Sequence, residues 1–148
     1  MSGPILICYD GSEDSKRAVD AAAELFGARH AVVVNVAPTV TFAESMAMTS
    51  SVVPGGTFEE LNQADARRCA EDGVEYARSA GMDAEARATI ASPTWRGIAE
   101  IAGEIDASVI VIGSRGLSAL REIARGSVSH DVATHAGRPV LIVPPATT

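Results

Sequence analysis

Lysine, cysteine and long apolar runs are scarce in this 148-residue sequence, and each scarcity excludes a class of protein. Two cysteines, Cys8 and Cys69, are too few to form a disulfide framework. No apolar run approaches the roughly 20 residues that are needed to cross a bilayer. The N-terminus also lacks the basic segment and apolar stretch of a signal peptide. We therefore expect a cytoplasmic protein that does not enter the membrane.

Basic residues are also few compared with acidic ones: 12 Lys and Arg residues stand against 19 Asp and Glu residues, which gives a formal net charge of −7. An acidic protein is repelled by nucleic acids and anionic membranes, so neither is an expected partner. The single lysine, Lys16, does not follow the glycine pattern of a Walker A loop, and no Gly-x-Gly-x-x-Gly follows the first apolar run. Any phosphate site must therefore be built from backbone amides, hydroxyl groups and arginine.

The sequence does contain a regular alternation of short apolar runs and longer amphipathic segments. Continuous apolar runs are typical of strands that are covered by helices on both faces of a parallel sheet. A fifth segment, Glu85–Ile90, alternates in polarity and predicts a less buried strand. The four continuous runs are Ile5–Tyr9, Ala31–Val34, Val109–Ile112 and Val140–Val143.

The amphipathic segments between these runs predict four helices. Their alternation with the strands predicts one α/β domain over residues 1–148, a doubly wound open parallel sheet of five strands. The polar segment Ala37–Thr57 is long for a connection and predicts a flexible, functional loop. The predicted helices are Ser15–Phe26, Phe58–Ala80, Thr94–Ile105 and Ser127–Ala136.

The segment after the fourth strand has the features of an anion site. Gly113 and Gly116 have no Cβ, so a phosphate could approach their backbone N–H groups closely. Gly126 and Ser127 open a helix, whose unpaired N–H groups favour an anion. Arg115 and two further arginines make this stretch basic within an acidic chain. These features predict a polyphosphate ligand, although glycine and serine are also common in turns and helix caps.

Asp10 follows the first predicted strand, at the edge where ligands of open parallel sheets bind. It could contact such a ligand, or it could simply cap the helix that follows. We favour the ligand role because the residue faces the predicted switch point, where the strand order reverses.

Together, these motifs resemble the universal stress protein family. The resemblance rests on Gly113-x-x-Gly116, nine intervening residues and Gly126-Ser127, together with the Asp10-Gly11-Ser12 turn. This pattern is similar to that of the ATP-binding members. The resemblance implies an adenine nucleotide alpha hydrolase-like fold with strand order 3-2-1-4-5.

The resemblance also implies a set of ligand contacts. Asp10 would lie near the ribose and the metal-bound phosphates, and the backbone of Val36 would meet the adenine edge. Ser129 is a further candidate phosphate donor. The remaining implied contacts to phosphate and ribose are Gly113, Arg115, Gly116, Gly126 and Ser127.

The function implied by the resemblance is a regulatory stress-response module that binds ATP with Mg. The strand Val140–Val143 would pair with its own copy in a homodimer, since an apolar edge strand invites pairing. Two alternatives remain open at this point. One is a slow ATPase, and the other is a dimeric interaction protein that needs no nucleotide. The choice between ATP and AMP is also open.

Overall fold

The computed structural model describes residues 3–39, 58–114 and 128–145. Over these residues the chain alternates strands and helices, as predicted. The strands are β1 (Ile5–Cys8), β2 (His30–Ala37), β3 (Asp83–Ile90), β4 (Val109–Gly113) and β5 (Val140–Val143). The helices are α1 (Glu13–Phe26), α2 (Phe58–Ser79), α3 (Thr94–Glu104) and α4 (Val128–His135).

The five strands form one parallel sheet in the order β3-β2-β1-β4-β5, which confirms the predicted order. The chain winds from β1 outward to β2 and β3, and then crosses back to β4 and β5. The direction of winding therefore reverses between β1 and β4. In open sheets of this kind, the crevice beyond the carboxyl ends of the two central strands is where ligands bind.

Two apolar layers, one on each face of the sheet, explain why the central strands are continuously apolar in sequence. Ile5, Ile7 and Val33 face α1 and α2 in one layer. Leu6 and Val34 face α3 and α4 in the other. Because successive side chains of a strand point to opposite faces, every residue of a strand covered on both sides is buried. The less apolar β3 lies at the edge of the sheet, in agreement with its predicted lower burial.

Several element boundaries differ from the predictions by one to three residues, and two of these differences have an identifiable cause. Helix α1 begins at Glu13 rather than Ser15, because the Ser12 side chain caps it by accepting a hydrogen bond from the Ser15 N–H at 3.1 Å. Strand β2 continues to Ala37 because it pairs with β3 as far as Ile90. Among the described residues, no helix combines the length and the apolar character needed to span a membrane.

Candidate functional site

A narrow notch lies where the carboxyl ends of β1 and β4 separate, at the switch point of the sheet. It encloses roughly 200 Å³ when the space open to solvent is included. Its walls come from the end of β1, the first turn of α1 and the end of β4. The lining residues are Cys8, Asp10, Ser12, Asp14, Ser15, Ile112 and Gly113. Two of the predicted ligand residues, Asp10 and Gly113, are therefore brought together here.

Asp10 is held in the turn that joins β1 to α1. Its Oδ1 accepts a hydrogen bond from the Ser12 N–H at 2.9 Å. Gly11 adopts a φ of 85° between them, a conformation that side chains other than glycine rarely tolerate. Since Ser12 is the residue that caps α1, the capping alternative for Asp10 is wrong. The turn instead fixes the Asp10 carboxylate at the wall of the notch.

Gly113 ends β4 directly against the start of α1. A Cβ at this position would lie 2.9 Å from the backbone oxygen of Asp14 and 3.1 Å from its Cβ. The missing side chain is thus required for strand and helix to pack at this distance. This requirement is independent of the predicted phosphate contact, which remains a prediction.

Val36 directs its peptide groups toward the space beyond β1. The Val34 carbonyl accepts from the Tyr9 N–H at 3.0 Å, on the β1 side of β2. The Ala37 carbonyl accepts from the Ala91 N–H at 2.9 Å, on the β3 side. In a parallel strand, the backbone N–H and C=O groups of successive residues point alternately to the two neighbouring strands. Those of Val36 therefore point to the β1 side, two residues beyond Val34, which accepts the last hydrogen bond from the β1 end. Its side chain is buried against α3, so only its backbone is available to a ligand.

Ser129 lies in the first turn of α4 and is 3 % exposed. Its Oγ donates a hydrogen bond to the Ser114 carbonyl at 3.1 Å, which ties α4 to the end of β4. The structure therefore gives this serine a role in positioning two elements, beside the phosphate contact predicted for it.

The other predicted contacts, Arg115, Gly116, Gly126 and Ser127, lie outside the described residues. So do residues 40–57 of the predicted loop. The phosphate-binding role of these residues remains a prediction.

The described walls of the notch are acidic. Burial, with a smaller contribution from the Asp10 carboxylate, raises the pKa of the Cys8 thiol to about 12. Burial also raises the pKa of Cys69, and the carboxylates of Asp10 and Asp72 add to that effect. Both shifts arise because a thiolate would be poorly solvated and close to negative charge. A cation would therefore offset the repulsion between these carboxylates and an anionic ligand.

In the part of the site that the structure describes, a magnesium ion fits only together with a ligand. Within residues 3–39, 58–114 and 128–145, no group of three or more His, Cys, Asp or Glu side chains could hold a metal ion. Mg²⁺ is commonly held by one or two carboxylates together with substrate phosphates and water. Asp10 matches that requirement for an ion that arrives bound to a polyphosphate.

Asn35 contacts the chain next to the notch, and the sequence reasoning did not identify this contact. Its Nδ2 donates to the Tyr9 carbonyl at 2.9 Å, immediately before Asp10. The available signal was an amide side chain within the otherwise apolar run Ala31–Ala37. Such a residue must find a hydrogen-bond partner when it is buried.

Comparison with known proteins agrees with this fold. The sequence model of the universal stress protein family matches residues 1–144. Universal stress protein YxiE of Bacillus subtilis is 33 % identical over 97 % of this chain and 99 % of that protein. The universal stress protein of Archaeoglobus fulgidus, solved in complex with dAMP, is 26 % identical with a TM-score of 0.64, covering 96 % of this chain and 98 % of that one. An Arabidopsis thaliana family member with AMP bound has the same fold at 17 % identity and a TM-score of 0.66, covering 98 % and 93 %.

Proposed function

This chain belongs to the universal stress protein family, and from that premise we propose that it binds ATP, with Mg, at the notch between β1 and β4. In this proposal, bound nucleotide shifts the protein between conformational states, and a partner binds these states differently. The chain would then act as a regulatory stress-response module. Two observations carry the proposal: Asp10, at the end of β1, lines the notch, and the Val36 backbone at the end of the neighbouring strand β2 faces the β1 side. The dAMP complex of the Archaeoglobus fulgidus relative supports an adenine nucleotide as the ligand.

Each part of the nucleotide has a proposed partner. The adenine edge would meet the N–H and C=O of Val36, and Asp10 would approach the ribose and the metal-bound phosphates. The Mg²⁺ ion would offset phosphate charge beside the acidic wall of the notch. The backbone and side chains of the segment after β4 would hold the phosphates. The residues proposed for that task are Gly113, Arg115, Gly116, Gly126, Ser127 and Ser129.

The site favours binding of ATP without appreciable hydrolysis. Hydrolysis requires a positioned water and usually a base. Among the described residues, Asp10 and Asp14 are the two carboxylates that line the notch. Asp10 Oδ1 is engaged with the Ser12 N–H, and Asp14 lies 3.7 Å from the Arg17 guanidinium. A slow ATPase is therefore the second candidate, and Asp10 is its candidate base within the described part of the chain.

We further propose that the protein is a homodimer formed through β5. Ile142 in this strand is 41 % exposed, which is unusual for a large apolar residue of a sheet. The flanking Pro139 and Pro144 could instead merely protect the edge. A cytoplasmic location is consistent with Cys8 and Cys69 both being free thiols.

The direct test is mass spectrometry of small molecules released from freshly purified protein, followed by calorimetric titration with ATP, AMP and GTP. We expect co-purified adenine nucleotide, and binding of ATP in preference to GTP. Gly126→Ala should weaken ATP binding, whereas Gly103→Ala should not, since a Cβ at Gly103 meets nothing within 4 Å. Absence of ATP binding by the parent protein would overturn the proposal. An unchanged affinity in Gly126→Ala would remove that glycine from the site.

A further inference from the structure

The hydrogen-bond ladder between β1 and β2 ends at Tyr9 in an unusual way. The Tyr9 N–H donates to the Val34 carbonyl at 3.0 Å, as a regular parallel ladder requires. The next bond of such a ladder would join the Tyr9 carbonyl to the N–H of Val36. In the structure the Tyr9 carbonyl instead accepts from Asn35 Nδ2 at 2.9 Å and from the Cys69 Sγ–H at 3.9 Å. A side-chain amide thus takes the place of a backbone donor.

The Asn35 amide is held in this position from two sides. Its backbone lies in β2 in register with Ala88 of β3, so the residue cannot shift along the strand. Its Nδ2 also lies 3.4 Å from Cys69 Sγ on α2. The two hydrogens of one amide group are therefore directed to the Tyr9 carbonyl and to the sulfur.

Helix α2 fixes Tyr9 itself. A Cβ on Gly73 would lie 2.7 Å from the Tyr9 ring, so the helix backbone and the ring pack in direct contact. The ring is almost fully buried, with 4 % exposure. Because both the ring and the carbonyl of Tyr9 are constrained by neighbouring elements, the end of β1 has a defined position before any ligand binds.

We propose that Asn35 is a positioning residue of the nucleotide site, which ends the β1–β2 ladder at Tyr9 and thereby reserves the Val36 N–H for the ligand. The inference rests on the proposed function for the identity of that ligand. The adenine edge carries a ring-nitrogen acceptor beside its amino donor, which matches one backbone N–H beside one C=O. If the Tyr9 carbonyl took the Val36 N–H, the ladder would extend by one step and the base would lose its donor.

Asn35→Ala is the variant that tests the ligand part of this inference, with Gln63→Ala as a matched control. The Gln63 amide donates from α2 to the Ala88 carbonyl, on the β3 side of the sheet. Loss of one hydrogen bond to the base should weaken ATP binding roughly three- to tenfold. The affinity for inorganic tripolyphosphate, which has no base, should stay within about twofold of the parent. Equal losses for both ligands, or no loss for ATP, would overturn the positioning role.

Amide hydrogen exchange, measured on the parent protein and on Asn35→Ala, tests the ladder part. In nucleotide-free protein the Val36 N–H should exchange faster than the Val34 N–H, and ATP should slow it. In Asn35→Ala the Val36 N–H should be protected without nucleotide, because the ladder has extended. Protection of Val36 equal to that of Val34 in the nucleotide-free parent would contradict the inference. A parent that fails to bind ATP would overturn the proposed function, while the exchange rates would still decide how the ladder ends.

Discussion

A Cβ on Gly113 would lie 2.9 Å from the backbone oxygen of Asp14. The end of β4 and the first turn of α1 therefore pack backbone against backbone at the floor of the notch. Backbone atoms cannot move aside as a flexible side chain can. Any residue larger than glycine at position 113 must separate two elements that together form the proposed ligand site.

Gly113→Ala should accordingly destabilise the protein by about 1–3 kcal/mol, the usual range for overpacking. Urea denaturation measures the change in the free energy of unfolding. The control is Gly103→Ala, which places a Cβ in open space within α3. That substitution should be neutral or stabilising by up to about 1 kcal/mol. If both variants were equally stable, β4 and α1 would be able to move apart at little cost and so avoid the close contact with Asp14.

Asp10→Asn separates the charge of this residue from its structural contact. The asparagine oxygen can still accept the hydrogen bond from the Ser12 N–H, so the turn is retained. We expect binding of Mg·ATP to weaken by about tenfold, corresponding to about 1.4 kcal/mol. Binding of ATP in excess EDTA should change little or improve, because a negative charge has been removed near the phosphates. Calorimetric titrations with and without Mg²⁺ provide the comparison.

Asp20→Asn is the control for that experiment, since it removes the same charge from α1 at a residue bonded to Tyr76 outside the notch. Equal effects with and without Mg²⁺ would argue against a role for Asp10 toward the metal. The same variants serve in a phosphate-release assay. Robust ATP hydrolysis by the parent that is lost in Asp10→Asn would favour the ATPase alternative over the binding module.

Ser12→Ala should lower the free energy of unfolding by about 1 kcal/mol, because it removes the cap of α1. The loss arises from the Ser15 N–H, which would no longer reach the Ser12 Oγ. Ser12→Asp should retain most of the stability, since aspartate caps helices well. Ser79→Ala removes an exposed serine hydroxyl bonded to the Glu75 carbonyl and should stay within about 0.5 kcal/mol. If the Ser12 cap contributed no stability, urea denaturation would give all three variants the same free energy of unfolding.

The stability of the protein should fall as the pH rises above about 9. Burial and the Asp10 carboxylate raise the pKa of Cys8 from 9.0 to about 12. Between pH 9 and pH 12 the Cys8 thiol keeps its proton in the folded state but loses it in the unfolded state. The stability that this difference provides is therefore complete below pH 9 and is lost toward pH 12. Urea denaturation at pH 8, 9 and 10 measures the trend.

Cys8→Ala is the control for the pH experiment. Its stability should be lower at pH 8, because a buried side chain is shortened. Its decline with pH should be shallower than that of the parent, although Tyr9 and Cys69, whose pKa values burial also raises, will leave a residual slope. An unchanged slope would assign the pH dependence to groups other than Cys8.

Ile142→Glu should convert a dimer formed through β5 into a monomer. A carboxylate at this half-exposed position would be placed against its own copy in a pairing of two β5 strands, where charge is costly to bury. Sedimentation velocity measures the mass. Leu25→Glu, at a position of α1 that is 62 % exposed, is the control and should leave the mass unchanged. A parent protein that sediments as a monomer would refute the proposed dimer directly.

Much of the fold could be predicted from local patterns. The four apolar runs and the alternating segment Glu85–Ile90 became the five strands, and the amphipathic segments became the four helices, with boundaries displaced by a few residues. The strand order came from the family resemblance, and the structure confirmed it. The position of Asp10 at the switch point was also predicted, since it depends only on where a buried strand ends.

Three relationships in the site could not be predicted from the sequence. They are the contact of Gly113 with Asp14, the bond from Asn35 to the Tyr9 carbonyl, and the cap formed by Ser12 in place of Asp10. The first two join residues that are distant along the chain, and the third depends on the turn that Gly11 allows. Periodicity reports which face of an element is buried, because burial repeats with the geometry of a helix or strand. It carries no information on how closely two elements approach, and that distance determined the walls of the site.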